Sequence, residues 1–456
     1  MGFGEKILNY KKDILADLSE LIGIESVSSE GSELPAKALN VMLEKAEKMG
    51  FTTKNIDDIA GHIEYGEGEA LCGVLAHLDV VPVGGDWKYP PFQMTEKDGV
   101  LYGRGVADDK GAAVVALYCL KALKDEGIIG DRKLRVILGT SEEIGQEDMN
   151  VYFEHERLPD MSFTPDSDYG ICATEKGILQ LKVSDPTHNG TVITELKGGT
   201  AVNSVPDKAV AILECTENDD HQMQRLADAK PNCFDFDYTI DGIKVTSKGK
   251  AAHAAEPDKG LNAATNLVSL LCSCFSSRIL GNLCEFVDNY IGSDLRGKYL
   301  GIANRDKSGV LTLNVGKLEI NTNEAYVTLD IRYPVTSDPV RIINKIQTCA
   351  NREGLSVEVL DHMLPLNVPE GAPVVQLLKK AYKAATGTPA TLYSTGGGTY
   401  ARALGGNGVA FGPVFPEDDC RLHNSNECMS VDKLMLHAQI CLEAMARMLD
   451  SNFDNR

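Results

Sequence analysis

Apolar segments that alternate with a helical pattern are the feature that most constrains the fold of this chain. Residues 70–83 (ALCGVLAHLDVVPV) are almost all apolar, and residues 133–139 form a second such run. Strands have this composition when both of their faces are covered, as they are in parallel sheets. Residues 111–125, between the two runs, have apolar side chains at helical spacing. This β–α–β order predicts an α/β fold with an open, mostly parallel sheet covered by helices.

The pattern changes near residue 181 and returns near residue 369. In the intervening stretch, alternating strands such as residues 209–214 and 326–332 accompany a helix at residues 261–275. Helix and strand alternation resumes with residues 374–385. We therefore expect one α/β domain of residues 1–183 and 369–456, interrupted by an inserted α+β domain of residues 184–368.

The insertion contains positions that match at a constant offset of 117 residues. In each half a glycine and a polar link precede an acidic residue and a strand. The matching pairs are Gly199 and Gly316, Asp207 and Glu324, and Val210 and Val327. The offset predicts two similar subdomains, with chance agreement as the alternative.

The chain is strongly acidic, with 45 Lys and Arg residues against 66 Asp and Glu residues and a formal charge of −21. A field of this sign repels phosphate backbones and anionic lipid, so we expect no nucleic-acid partner and no membrane partner. The charge also has an ordinary explanation, because many soluble cytosolic proteins are acidic.

The cysteines and the first residues bear on the compartment. The twelve cysteines are dispersed, no CxxC pair occurs, and most lie in apolar runs. Such thiols are typical of buried side chains in a reducing compartment. The first thirty residues predict an amphipathic helix rather than a signal peptide, and no apolar run reaches 18 residues. These features predict a cytoplasmic protein.

Acidic and histidine side chains recur at the ends of the predicted strands, where open α/β sheets bind ligands. Singly they are ambiguous, because a His-x-Asp is often a surface pair and adjacent carboxylates can cap a helix. Adjacent carboxylates also point in different directions, so one can hold a metal while its neighbour acts on water. Together, five groups favour a binuclear hydrolase site: His77 with Asp79, Asp108 with Asp109, Glu142 with Glu143, Asp166 with Asp168, and His423.

Motifs of several other enzyme classes are absent from the sequence. It contains no GxxxxGK[ST] phosphate loop, no GxSxG and no HExxH. Residues 396–401 match GxGxxA, but the strand context and the acidic residue of a dinucleotide fold are lacking. The glycines at 396–398 are better explained by main-chain N–H groups that face an anion such as a carboxylate.

Nine segments resemble, in order, the PepV-like dipeptidases: HLDVVPVGGDW, LYGRGVADDKG, SEEIG, TPD, NSVPDKA, GKAAHAAEP, LDIRYP, STGGGTYAR and HNSNE. These are cytosolic bacterial members of the aminoacylase-type family of dinuclear metallopeptidases, with acetylornithine deacetylase and succinyl-diaminopimelate desuccinylase as relatives. The resemblance spans residues 77 to 427, and its motifs are specific jointly rather than singly. It implies a catalytic α/β domain and an inserted lid domain.

The resemblance implies two divalent metal ions per chain, with zinc, manganese and cobalt as the candidates. Asp108 would bridge the two ions. His77 and Asp166 would complete the ligands of one ion, and Glu143 and His423 those of the other.

The resemblance also implies the residues that act beside the metals. Glu142 would be the general base, and Asp79 would be the partner of His77. The peptide between Asp108 and Asp109 would be cis. Asp168 is an alternative to Asp166 as a ligand, because both lie near the end of the same predicted strand.

From the lid, the resemblance implies substrate contacts by Asn203, His253 and Arg332. His253 would contact the scissile carbonyl oxygen and Arg332 the substrate carboxylate, with main-chain contacts from Gly397 and Gly398. Two structural alternatives remain open here: His253 could be a packed core histidine, and Arg332 could be part of a structural ion pair.

The implied activity is hydrolysis of dipeptides with a free C-terminal carboxylate. The alternatives are a deacylase of N-acyl amino acids and a catalytically inactive metal-binding protein, although the intact Glu142 argues against the second. We also predict a monomer, because a duplicated lid could replace the lid contact of dimeric relatives, so that His253 acts in cis. The lid would close at hinges near residues 181–186 and 366–371.

Overall fold

The structure is a computed structural model that describes residues 2–187, 190–229, 232–240 and 242–455. The chain forms two compact units. The first unit comprises Met1–Thr174, Leu366–Tyr393 and Gly398–Arg456, and the second comprises Glu175–Pro365 and Ser394–Gly397. Within the described ranges, no helix is both long enough and apolar enough to cross a membrane.

The described residues include eleven α-helices: α1 (Lys11–Ile22), α2 (Glu33–Lys48), α3 (Lys110–Asp125), α4 (Glu147–His155), α5 (Glu217–Ala227), α6 (Ala263–Cys274), α7 (Ser277–Leu280), α8 (Asn282–Tyr290), α9 (Pro339–Arg352), α10 (Pro373–Thr386) and α11 (Val431–Leu449).

The same residues include 24 strands: β1 (Thr52–Ile56), β2 (Ala60–Gly66), β3 (Leu71–His77), β4 (Thr95–Lys97), β5 (Val100–Tyr102), β6 (Lys133–Gly139), β7 (Met161–Thr164), β8 (Ser167–Asp168), β9 (Ile171–Glu175), β10 (Gly177–Ser184), β11 (Ile193–Gly198), β12 (Lys208–Leu213), β13 (Phe234–Thr239), β14 (Gly242–Lys248), β15 (Arg305–Asp306), β16 (Gly309–Val310), β17 (Thr312–Ile320), β18 (Ala325–Tyr333), β19 (Ser356–Met363), β20 (Leu366–Asn367), β21 (Leu392–Thr395), β22 (Gly408–Ala410), β23 (Pro413–Val414) and β24 (Cys428–Ser430).

The nine-stranded sheet has the order β1-β2-β6-β3-β7-β22-β9-β20, with β21 paired to β9. Its four middle strands β6, β3, β7 and β22 are parallel. The pairs β1–β2, β2–β6 and β22–β9 are antiparallel. The predicted α/β class is therefore confirmed, and the sheet is mixed. The antiparallel edge arises because a short turn at Asp57 and Asp58, both at positive φ, joins β1 to β2.

Three of the parallel strands end at the same edge of this sheet. His77 is the last residue of β3 and pairs in register with Gly139, the last residue of β6. β7 ends nearby in the sheet at Thr164. Every residue of β3 is buried, and so is most of α3, which begins directly after Asp109. His77 and Asp109 are thus each attached directly to a buried element, β3 and α3 respectively.

The second unit contains an eight-stranded sheet of order β13-β14-β12-β11-β17-β18-β10-β19. The succession β11, β12, α5 recurs as β17, β18, α9. The two halves meet where β11 pairs antiparallel with β17, with Leu196 opposite Ile320. The approach is tight there, since a Cβ on Gly199 would lie 1.9 Å from the carbonyl oxygen of Gly316. One apolar core, which includes Leu267 of α6, supports both halves.

Candidate metal centre

His77 is almost completely buried, and its ring is fixed from the side of Nδ1. Nδ1 donates to the main-chain oxygen of Asp79 at 2.9 Å and lies 3.4 Å from Oδ1 of the same residue. This arrangement leaves Nε2 facing Asp108, whose Oδ1 lies 3.0 Å away. A donor at Nδ1 is the usual way in which a metal-binding imidazole is oriented.

The carboxylate of Asp79 has a second task that the sequence did not indicate. Its two oxygens accept the main-chain N–H groups of Glu142 and Glu143, each at 3.1 Å. Burial acts to raise the pKa of Asp79, but the hydrogen bonds from His77 and its other donors bring it below its usual value. Asp79 therefore remains an anion that holds the turn on which both glutamates lie.

Asp108 lies between two imidazoles. Its Oδ1 faces Nε2 of His77, and its Oδ2 lies 3.0 Å from Nε2 of His423. The peptide between Asp108 and Asp109 is cis, as the resemblance implied. Asp109 accepts the main-chain N–H of His77 at 3.2 Å. One carboxylate thus offers one oxygen to each side of the centre, which is the arrangement a bridging ligand needs.

Glu142 and Glu143 point to different partners. Oε2 of Glu143 lies 3.3 Å from Nε2 of His423. Oε1 of Glu142 accepts a hydrogen bond from the side-chain amide of Gln146 at 2.5 Å. Potential ligand atoms lie within 4.8 Å of one another in two groups, one of His77, Glu142 and Asp166 and the other of His77, Asp108 and Glu143.

The structure separates Asp166 from its sequence neighbour Asp168. Asp166 follows β7 and belongs to the group with His77 and Glu142. Asp168 is exposed on β8, in neither group, and its main-chain oxygen accepts from the hydroxyl of Tyr393 at 2.8 Å. Of these two residues, Asp166 belongs to a group of potential ligand atoms and Asp168 does not.

The acidic and histidine side chains of this centre shift one another's pKa values. Desolvation, reinforced by neighbouring carboxylates, raises the pKa of Glu142 and of Asp166 well above the usual range. Desolvation acts to lower the pKa of His423, but Asp108 and Glu143 raise it to about 11. Imidazole nitrogens and carboxylate oxygens without a thiolate form a donor set that suits zinc, manganese or cobalt. The residues present therefore fit divalent ions.

Asn203, His253 and Arg332 lie in the second unit, together with Gly396 and Gly397. Ser204, next to Asn203, pairs with His253 in an antiparallel bridge. His253 is exposed, which contradicts the alternative of a packed core histidine, and its Nδ1 accepts the N–H of Ala255 at 3.2 Å. Gly396 lies beside Ala255: a Cβ atom placed on Gly396 would be 3.0 Å from the Cβ of Ala255.

Arg332 is buried and forms the ion pair that the sequence left open. Its Nε and Nη2 donate to the two oxygens of Asp330 at 2.6 and 2.9 Å, and its Nη1 donates to the carbonyl oxygen of Gly396 at 3.1 Å. The N–H of Gly397 donates to Oγ1 of Thr395 at 3.0 Å. Gly398 begins the last segment of the first unit.

A family model described as peptidase family M20/M25/M40 matches residues 73–447. The chain belongs to this family. It is 34% identical to "Putative dipeptidase YtjP" of Bacillus subtilis, over 98% of this chain and 99% of that protein. A relative from Staphylococcus epidermidis named "Putative dipeptidase" is 32% identical, over 97% of this chain and 98% of that protein.

Two solved structures share the fold of this M20 peptidase. Human carnosine dipeptidase 1 is 14% identical, with a TM-score of 0.60 and coverage of 98% of this chain and 99% of that one. A metallo-carboxypeptidase of the family from Sulfolobus solfataricus is 17% identical, with a TM-score of 0.62 and coverage of 95% and 98%. The resemblance found in the sequence is confirmed: the protein is a metal-dependent peptidase, and its substrates are peptides.

The sequence analysis missed two residues that hold the turn carrying Glu142 and Glu143, here called the glutamate turn. Asp148 accepts the N–H groups of Thr140 and Ser141 at 2.7 and 2.8 Å and the hydroxyl of Tyr400 at 2.5 Å. Gln146, which donates to Glu142, has a left-handed φ of +64°. Both lie within eight residues of Glu142–Glu143, but only the fold shows that they turn back toward it.

Proposed function

We propose that the protein is a dipeptidase that uses two divalent ions, zinc, manganese or cobalt. Asp108 would bridge the ions, His77 and Asp166 would complete one site, and Glu143 and His423 would complete the other. Bound ions would make a water molecule acidic enough to act as a nucleophile near neutral pH and would polarise the scissile carbonyl. The observation that carries the proposal is the Asp108 carboxylate, with one oxygen on each imidazole.

Glu142 moves the protons of the reaction. It accepts a proton from the attacking water and passes it to the leaving amine. Support comes from its position beside Glu143 and from its hydrogen bond with Gln146, which orients the carboxylate.

The second unit supplies the substrate contacts. His253, which is exposed, donates to the scissile carbonyl oxygen, and Asn203 contacts the substrate beside it. Asp330 and Gly396 accept from three of the five N–H groups of Arg332. The other two N–H groups bind the substrate carboxylate. Gly397 and Gly398 add main-chain contacts, and for Gly397 this requires its bond to Thr395 to open. Closure at residues 181–186 and 366–371 brings these groups to the substrate.

The test is an assay of metal-stripped protein, reloaded with manganese, zinc or cobalt, on dipeptides and N-acyl amino acids. We expect no activity after chelation, recovery with metal, and a preference for dipeptides with a free amine and a free carboxylate. Faster cleavage of acetylornithine or succinyl-diaminopimelate would identify a deacylase instead. Full activity of the metal-free protein would refute the proposal, and no activity with either class of substrate would favour an inactive metal-binding protein.

We also propose a monomer in which His253 acts on its own chain. The two matching halves of the second unit meet at β11 and β17 and form one sheet. They thus provide inside one chain what two lids provide in a dimer. The test mixes inactive Glu142→Ala and His253→Ala proteins: a histidine acting in cis gives no recovery, whereas regained activity with a dimer mass in light scattering would refute the monomer.

We propose that the reaction takes place in the cytoplasm, because none of the twelve cysteines, all within the described residues, forms a disulfide and many are buried. Fractionation of the source cell with an antibody against the protein checks this. Recovery from an oxidising compartment would contradict it.

A further inference from the structure

Glu427 is fully buried in the first unit, and its carboxylate accepts four hydrogen bonds from one short loop. Oε2 accepts from Nη1 of Arg104 at 2.8 Å and from the N–H of Gly105 at 2.9 Å. Oε1 accepts from the N–H of Ala107 at 2.9 Å and of Asp108 at 3.2 Å. A carboxylate has about four acceptor positions. All of them are occupied by this loop, so none is left for a cation.

The segment that contains Glu427 also contains His423. Between these two residues the chain turns tightly, because His423 and Asn426 have φ of +59° and +63°. Directly after Glu427, β24 pairs antiparallel with β5. Glu427 therefore fastens the turn that carries His423 to the loop that carries Asp108, although 319 residues separate Glu427 from Asp108.

We propose that Glu427 is a positioning residue that sets the spacing between Asp108 and His423, and through it the affinity for metal. The inference rests on the proposed function. Glu427 touches neither ion nor substrate and acts through the main chain of Asp108. The distance that it controls is the 3.0 Å between Oδ2 of Asp108 and Nε2 of His423.

The geometry requires an anion of this length. In Glu427→Gln one oxygen becomes an amide NH₂, which faces N–H donors instead of accepting from them and no longer neutralises Arg104. Glu427→Asp keeps the charge and both oxygens but withdraws them by one methylene. Groups that orient metal ligands change metal affinity by about 10- to 100-fold when they are altered.

The experiment measures metal affinity directly, by titrating the metal-stripped full-length protein with Mn²⁺ or Zn²⁺ in a calorimeter. The matched control is Glu443→Gln. Glu443 is also buried, accepts the N–H of Gly4 at 2.7 Å and pairs with Arg447, outside the centre. We expect Glu427→Gln to lower the affinity for at least one of the two ions by about 10- to 100-fold, and Glu427→Asp to lower that affinity less. Glu443→Gln should lower the melting temperature and leave metal affinity unchanged.

The outcomes distinguish the two proposals. If the wild type binds two ions and Glu427→Gln binds them as tightly, the positioning role is overturned and the proposed function stands. A wild type that binds no metal overturns both. If Glu427→Gln does not fold, Glu427→Asp decides: wild-type affinity in a folded protein of lowered melting temperature would show that Glu427 only stabilises the fold.

Discussion

Replacing Asp79 by asparagine tests how the metal centre is held together. The sequence assigns Asp79 to His77, but the shortest contact of that ring is with the main-chain oxygen of Asp79, at 2.9 Å, and this contact survives the substitution. The side-chain oxygens accept the N–H groups of Glu142 and Glu143, and Oδ1 also lies 3.4 Å from Nδ1 of His77. We therefore expect Asp79→Asn to act mainly on the glutamate turn.

The magnitude follows from these two bonds. Asparagine has one acceptor oxygen, so one N–H keeps a neutral partner and the other faces an NH₂ group. A hydrogen bond to a charged group contributes about 1.5–3 kcal/mol, and a neutral one about 1 kcal/mol. Losing one such bond and weakening the other should lower the free energy of unfolding by about 3 kcal/mol. Movement of Glu143 should also lower the affinity for one metal ion by about 10- to 100-fold.

A double-mutant cycle on metal affinity separates the two assignments. In a Glu143→Gln background, Asp79→Asn should lower metal affinity little further, because the ligand that Asp79 positions is already lost. In a His77→Gln background it should have its full effect. Asp131, exposed and bonded to Ser451, provides the control Asp131→Asn, for which we expect wild-type affinity. The opposite pattern, with full effect beside Glu143→Gln and none beside His77→Gln, would refute this reasoning.

Three further predictions follow from single contacts. Glu142→Gln should keep its metal and lose about two to four orders of magnitude in kcat, whereas Glu143→Gln should lose occupancy of one ion; metal analysis and steady-state kinetics check both, and wild-type kcat for Glu142→Gln would contradict the assignment. Gln146→Gly relieves a left-handed φ, so it should melt no lower than wild type while kcat falls; a lower melting temperature with unchanged kcat would show a purely structural role. Burial lowers the pKa of His437 to about 3. As pH falls from about 6.5, the unfolded chain therefore gains a proton that the folded protein does not, and this lowers the free energy of unfolding by about 3 kcal/mol by pH 4. Denaturation of the wild type at pH 6.5 and pH 4 should show this loss, and denaturation of His437→Leu should not.

The fold was predictable where core burial dominates the sequence. The apolar run at 133–139 is β6, and the helix expected at 111–125 is α3, from Lys110 to Asp125. The antiparallel edge was not predicted, because β1 (TTKNI) is polar and largely exposed and carries no strand period. Edge strands are specified by their neighbours and turns more than by their own composition.

The grouping of acidic and histidine side chains was predictable because strand ends meet at one edge of a parallel sheet. Their supports were not. Asp79, Asp148 and Glu427 each bind main-chain N–H groups of another segment, and no local pattern states which segment that is. The same limit applies to Arg332, whose partner Asp330 is two residues away on the same face of β18, yet the sequence could not decide between this pair and a substrate carboxylate.

Asp79 differs from Glu142, Glu143 and Asp166 in its hydrogen-bond donors, and the difference makes cation binding depend on pH. Asp79 is bound by main-chain donors and keeps its charge in the metal-free protein. Among the described residues, no main-chain N–H donates to the side chains of Glu142, Glu143 or Asp166, and desolvation raises the pKa of all three. Because these groups must be ionised when a cation is bound, loading the site releases protons. Metal affinity should therefore fall as pH falls, and with it activity, while the framework carboxylate Asp79 stays charged.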